Sequence, residues 1–134
     1  IGKGIVLTEG SDVAIIACGV LVHESLEAAE ILRKEGINAK VVDMHTIKPL
    51  DTDLIDKLSE ECGAIVTAED HSIIGGLGGA VSEHVVSSIP VPIEKIGVKD
   101  RFGESAGAEE MLEMMGLKSH HICDAVRTVI ARKV

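Results

Sequence analysis

Short runs of aliphatic and β-branched residues alternate along the whole chain with stretches of helical periodicity, a pattern that predicts strands joined by helices packed on their faces. Gly4 to Thr8 reads as a first strand, Glu9-Gly10-Ser11-Asp12 as a turn, and Val13 to Ala17 as a second strand. So short a connection reverses the chain, so the two strands are expected to be antiparallel, or at least not a crossover pair. From Val20 to Lys34 the apolar positions Val20, Leu21, Leu26, Ala29, Ile31 and Leu32 recur at helical spacing, with charged residues between them and Gly36 as the stop.

A third strand, Ala39 to Asp43, runs into a segment where Pro49 forbids strand interior. Asp51 is placed to cap a helix from Thr52 to Glu61, which Gly63 ends before a strand over Ala64 to Glu69. Asp70-His71-Ser72 and the glycines Gly75, Gly76, Gly78 and Gly79 form a loop that opens a helix through Val86, with Pro90 and Pro92 bounding its exit. Ile93 to Val98 is the last strand. A polar segment through Gly107 then leads to a short helix, Ala108 to Met115, stopped by Gly116, and to a final helix, His120 to Arg132, with Ser119 as its expected cap. Five strands and about five helices make an α/β fold. The expected architecture is a three-layer α/β/α sandwich around a mixed five-stranded sheet with one antiparallel strand, in a single domain over residues 1–134.

Charge and composition narrow the function. Thirteen Lys and Arg against 22 Asp and Glu leave a formal charge of −9, with the basic residues scattered singly, which excludes a binder of the nucleic-acid backbone. Phe102 is the one aromatic residue, too few for base stacking. The uncharged run from Ile73 to Ser82 is Gly-rich and far short of the ~20 apolar residues of a membrane span, and the first residues have no signal-peptide pattern. Cys18, Cys62 and Cys123 are widely spaced and odd in number, suggesting neither a disulfide framework nor a zinc site; a reducing cytoplasm is expected.

In sheets of this kind, binding groups gather at the carboxyl ends of parallel strands. Three loops qualify: Cys18-Gly19, Met44-His45-Thr46, and Glu69 to Gly79. The third holds Glu69, Asp70 and His71 before a glycine-rich helix start whose amino end attracts an anion. His71 beside two carboxylates is a candidate proton-transfer group, weighed against an ordinary loop or interface histidine. Arg101, near Asp100 and Glu104, is a candidate clamp for a carboxylate or phosphate, weighed against a surface ion pair. The glycines do not fit a dinucleotide fingerprint, because Glu69-Asp70-His71 intervenes and the next strand ends without an acid. No metal site is expected: His23-Glu24 lacks a second histidine four residues on, and adjacent His120 and His121 should point to different sides of their helix. Ser72 lies in no nucleophile elbow.

Four segments taken together, Asp12 to Cys18, Lys48-Pro49-Leu50-Asp51, Gly63 to Gly79 and Phe102-Gly103-Glu104-Ser105, resemble the carboxyl-terminal domain of transketolases, in order and over nearly the whole chain. The likeness is nearest to split transketolases, whose carboxyl-terminal section is a separate polypeptide. The resemblance implies a thiamine diphosphate- and Mg²⁺-dependent parent enzyme of the pentose phosphate pathway. That enzyme moves a two-carbon ketol unit from a ketose phosphate to an aldose phosphate, and this domain helps assemble the dimer. It also implies partner domains that bind the pyrimidine and diphosphate ends of the cofactor. The chain carries no Gly-Asp-Gly metal motif, and the pyrimidine-binding domain is expected outside it, so the chain alone is expected to bind no cofactor and to be inactive. Glu69, Asp70, His71, Gly75, Gly76, Gly78, Gly79 and Arg101 then become candidates for an interface or an anion site. The alternatives are an anion-binding regulatory module, a stand-alone enzyme using His71 as base, or the equivalent domain of deoxyxylulose-phosphate synthase or of a 2-oxo acid dehydrogenase beta subunit.

Overall fold

The computed structural model describes residues 2–72, 76–98 and 107–134, the side chains of His71, Ser72 and Ala108 excepted. Five strands, β1 (Ile5–Val6), β2 (Val13–Ala17), β3 (Ala39–Asp43), β4 (Ile65–Ser72) and β5 (Ile93–Val98), form one sheet in the order β1-β3-β2-β4-β5. All neighbours are parallel except β1 against β3. The helices are α1 (Leu21–Lys34), α2 (Thr52–Cys62), α3 (Leu77–Ser87), α4 (Ala108–Met115) and α5 (Ser119–Ala131).

Strand alternation sorts the core into two clusters, one on each face of the sheet. Val13, Ile15 and Ala17 of β2 pack with Leu21, Ala28 and Leu32 of α1 and with Ile122, Val126 and Val129 of α5. Ala14, Ile16 and Cys18 pack on the other face with Ile55 and Leu58 of α2 and Leu77, Val81 and Val85 of α3. Because both faces are covered, β2 is buried at every position, as a central parallel strand should be.

The expected helix signals operate. An Asp51 carboxylate oxygen accepts the Leu54 N–H at 3.2 Å and its second oxygen the Gly4 N–H at 2.9 Å, so the α2 cap also holds the approach to β1. Gly63 and Gly116 end α2 and α4 in the left-handed conformation, at φ 68° and 75°.

Three expectations need correction. First, β1 runs antiparallel to β2 but pairs with β3, and it is a ladder of two residues rather than five. The Thr8 hydroxyl takes over there, donating to the Ala39 carbonyl at 2.8 Å and accepting from the Val41 N–H at 2.9 Å. Second, β4 does not stop at Glu69. It crosses a register irregularity after Ala68 and pairs again at Ser72 with Val98, because β5 extends far enough to offer backbone partners to a polar segment. Third, Ser119 is not a cap. Lys118 holds the N-cap position, its N–H donating to His121 Nδ1 at 3.0 Å, and Ser119 is the first helical residue.

Candidate functional site

The chain leaves β2 for β3 on one side and returns to β4 on the other, so the strand order reverses between β2 and β4. A crevice at the carboxyl ends of two such strands is where α/β sheets hold ligands and contacts. Here it is flanked by Cys18 and Gly19 after β2 and by Glu69 and Asp70 within β4. Gly19 has φ +62°, and a Cβ on it would lie 3.3 Å from Asp70 Oδ1, so the two loops meet closely. The Cys18 N–H donates to the Ala68 carbonyl at 3.1 Å and the Met44 N–H to the Ala17 carbonyl at 2.8 Å, fixing all three strand exits together.

Glu69 is wholly buried. Its Oε1 accepts the Leu77 N–H and its Oε2 the Gly78 N–H, both at 2.7 Å. These are orphan donors of the first turn of α3, so the carboxylate caps the helix from a strand eight residues away and matches the positive end of its dipole. Gly78 is required for the approach: a Cβ there would stand 2.9 Å from Thr67 Oγ1 and 3.3 Å from Glu69 Oε2. The anion that the sequence anticipates at this helix start is therefore Glu69 itself.

The surroundings are acidic. Burial first, then Glu69, Asp70 and Asp43, push the Cys18 thiol up to about 11, which keeps it protonated and unreactive at neutral pH. His45 Nδ1 lies 3.9 Å from Asp43 Oδ1 at the exposed rim. A diphosphate group does not fit this end of the sheet: the α3 amides are committed to Glu69, and the neighbouring carboxylates repel an anion.

Of the candidate residues, Glu69, Asp70, Gly76, Gly78 and Gly79 gather at the β4–α3 junction, with Gly76 at the α3 N-cap. A Cβ at Gly79 would meet nothing within 4 Å, so that glycine is not demanded by packing. His71 is placed by its backbone in β4, with its side chain outside the description, and Gly75 and Arg101 lie outside the described residues. Cys18, Cys62 and Cys123 are free and buried, as small apolar residues would be.

Sequence reasoning missed two clusters. Glu24 of α1 is buried and accepts the Ser119 N–H at 2.9 Å, with Lys118 Nζ 3.6 Å from the same oxygen. His120 and His121 do not diverge: the His121 ring turns back to cap α5, which brings the ring centroids to 3.9 Å. Neither was visible: the first joins α1 to residues 95 positions on, and the second rests on a side-chain rotamer that spacing does not give. Among the described residues no helix is long and apolar enough to cross a membrane.

Comparison with known proteins agrees with this geometry. The family model described as "Transketolase, C-terminal domain" matches residues 2–122. The chain is 43% identical over 133 residues to the 6-deoxy-6-sulfo-D-fructose transketolase subunit SqwH of Clostridium sp. (strain MSTE9), covering 99% of this chain and 41% of that protein. It is 46% identical to the putative transketolase C-terminal section of Methanocaldococcus jannaschii, covering 94% of this chain and 39% of that one. It also resembles the 1-deoxy-D-xylulose-5-phosphate synthase of Crocosphaera subtropica, at 41% identity over 95% of this chain and 20% of the synthase. Among solved structures, a split-gene transketolase described as an inactive beta4 tetramer superposes with TM-score 0.96 at 46% identity, over 99% of this chain and 44% of that one. The chain thus spans about two fifths of the split-transketolase relatives it matches. From its fold, its motifs and these matches, the chain belongs to the transketolase C-terminal domain family.

Proposed function

We propose that this chain is the assembly domain of a thiamine diphosphate-dependent ketol transferase, which moves a two-carbon ketol unit from a ketose phosphate to an aldose phosphate. The observation that carries this reading is the likeness, at TM-score 0.96 over 99% of the chain, to a section of a split transketolase described as an inactive tetramer. Cofactor chemistry belongs to domains that bind the pyrimidine and diphosphate ends of thiamine diphosphate with Mg²⁺, supplied by the same polypeptide or by a separate subunit of a dimeric enzyme. The role of this chain is to present the β2–β4 crevice, with Glu69, Asp70 and the start of α3, as a contact surface for those domains. Glu69 supports that role by tying β4 to α3 with two short hydrogen bonds. The same bonds argue against an anion-binding regulatory module, because the helix amides such a module needs are already used. Three buried free thiols suit a reducing cytoplasm.

The test is a ketol-transfer assay with thiamine diphosphate, Mg²⁺ and a panel of ketose and aldose phosphates. The chain is assayed alone and with polypeptides that supply the two cofactor-binding domains. Turnover is expected only in the mixture. Turnover by the chain alone overturns the assembly reading, and formation of 1-deoxy-D-xylulose 5-phosphate in the mixture, without ketol transfer, would move the chain to the synthase branch of its relatives.

A further inference from the structure

The α4–α5 turn gathers a histidine pair and a carboxylate that the assembly role does not use. Gly116 ends α4 in the left-handed conformation, and Leu117, 1% exposed, plugs the turn into the core, its N–H donating to the Leu112 carbonyl at 2.8 Å. The chain therefore folds back sharply, and Glu113 in the last turn of α4 faces His120 in the first turn of α5. His120 Nε2 sits 2.7 and 3.0 Å from the two Glu113 oxygens. The His121 ring lies 3.9 Å from that of His120, tilted by 36°. One ligand atom from each of the three residues lies within 4.8 Å of the other two.

We propose that Glu113, His120 and His121 bind one divalent transition-metal ion of the zinc, cobalt or nickel type, which clamps α4 to α5. Two imidazoles and one carboxylate are the donor set that borderline ions prefer over Mg²⁺ or Ca²⁺, and three protein ligands leave a fourth position for water. The turn already holds the three side chains near one another, so little ordering is left for the ion to impose. Other charges near the site leave it receptive to a cation: Lys118 is paired with Glu109 and lies 3.6 Å from Glu24, and Asp124 is paired with Arg127 at 3.0 Å. A second trio, His23, Glu24 and Glu27, has comparable spacing, but Glu24 is buried with the Lys118 ammonium 3.6 Å from its Oε1, a charge that repels a cation.

Coordination has a side effect particular to this geometry. A neutral imidazole has one lone-pair nitrogen, and on His121 that nitrogen accepts the Lys118 N–H. If the ion takes Nδ1, the lone pair is spent; if it takes Nε2, Nδ1 carries the proton. In either case the Lys118 amide loses its acceptor.

The experiment is calorimetric titration of the chelator-treated chain with Zn²⁺, repeated with Co²⁺ for its visible spectrum and followed at the Lys118 amide by NMR. One ion per chain is expected, with a tetrahedral Co²⁺ spectrum and a displaced, faster-exchanging Lys118 amide. His120→Ala, His121→Ala and Glu113→Gln should each weaken binding at least ~10-fold, the lower end of what loss of even an outer-shell partner costs. His23→Ala should leave it unchanged. Glu113 and His120 are exposed, so their variants keep the fold, which matching thermal melts without metal would verify. Failure to saturate below about 1 mM Zn²⁺ overturns the site. So does binding indifferent to His120→Ala and His121→Ala, binding abolished by His23→Ala, or a Lys118 amide that does not move.

Discussion

Glu69 and Glu24 are both buried carboxylates that cap a helix from a distance, one on each face of the sheet, and they do so differently. Glu69 spends both oxygens on two successive amides of α3, eight and nine residues along the chain. Glu24 spends one oxygen on the Ser119 amide of α5, 95 residues away, and the same oxygen lies near the Lys118 ammonium. Buried charge is tolerated only when it is fully hydrogen-bonded or paired. The α3 face meets that requirement locally with backbone donors, which makes the β4–α3 junction at the candidate interface rigid. The α5 face meets it across the whole chain, so its cap forms only when the fold is complete.

The comparison can be broken most directly at Glu69. Glu69→Ala removes two charge-assisted bonds and should cost about 3–6 kcal/mol in urea unfolding, at ~1.5–3 each. Glu69→Gln, which keeps an acceptor for one amide, should lose roughly half as much. Glu24→Ala removes one such bond and should cost about 1.5–3 kcal/mol. If Glu24→Ala proves the costlier, the ranking of the two caps is inverted and the α5 face, not the crevice, is the stiffer half.

Gly78→Ala tests how closely α3 is drawn onto Glu69. Overpacking against Thr67 Oγ1 costs ~1–3 kcal/mol and alanine returns about 1 in a helix, so a net loss of about 1 kcal/mol is expected. Adding Thr67→Ala, which removes the atom at 2.9 Å, should recover most of the overpacking term, and a double mutant no better than additive would refute the contact. A further effect shows only at alkaline pH and concerns the burial of Cys18 beside Glu69, Asp70 and Asp43. The folded thiol holds its proton up to about 11 against an ordinary 9.0. Its contribution is therefore intact below pH 9 and lost as the pH rises toward 11. The urea midpoint of the wild type, relative to Cys18→Ala, should fall across that interval; a constant difference would mean that burial and the neighbouring carboxylates do not raise the thiol.

The parts of this molecule legible in the sequence are those set by neighbours in the chain. Asp51 three residues before Leu54, Gly63 and Gly116 after apolar stripes, and the continuous apolar run of β2 all act over a turn or two. The pairing of β1 with β3 was hidden because the four-residue turn after it dictates a reversal of direction but not which strand stands alongside. The extension of β4 through Asp70, His71 and Ser72 was hidden because these residues are polar, and the partner that recruits them is Val98. At the candidate site, the glycine-rich helix start correctly marked a place for an anion, but periodicity could not say that Glu69 would turn inward to fill it. Glu24 reads as one more charged residue of an amphipathic helix until Ser119 is brought to it.

The strand order carries a consequence for how the chain finds this structure. The β2–β3 ladder joins residues 26 apart in sequence, whereas the β2–β4 ladder at the centre of the sheet joins residues 51 apart. Doubling a loop raises its closure cost by only about 0.6 kcal/mol. The central seam thus closes at an entropic cost within about 0.6 kcal/mol of the local crossover, so loop closure alone gives the β2–β3 side little head start over the middle of the sheet.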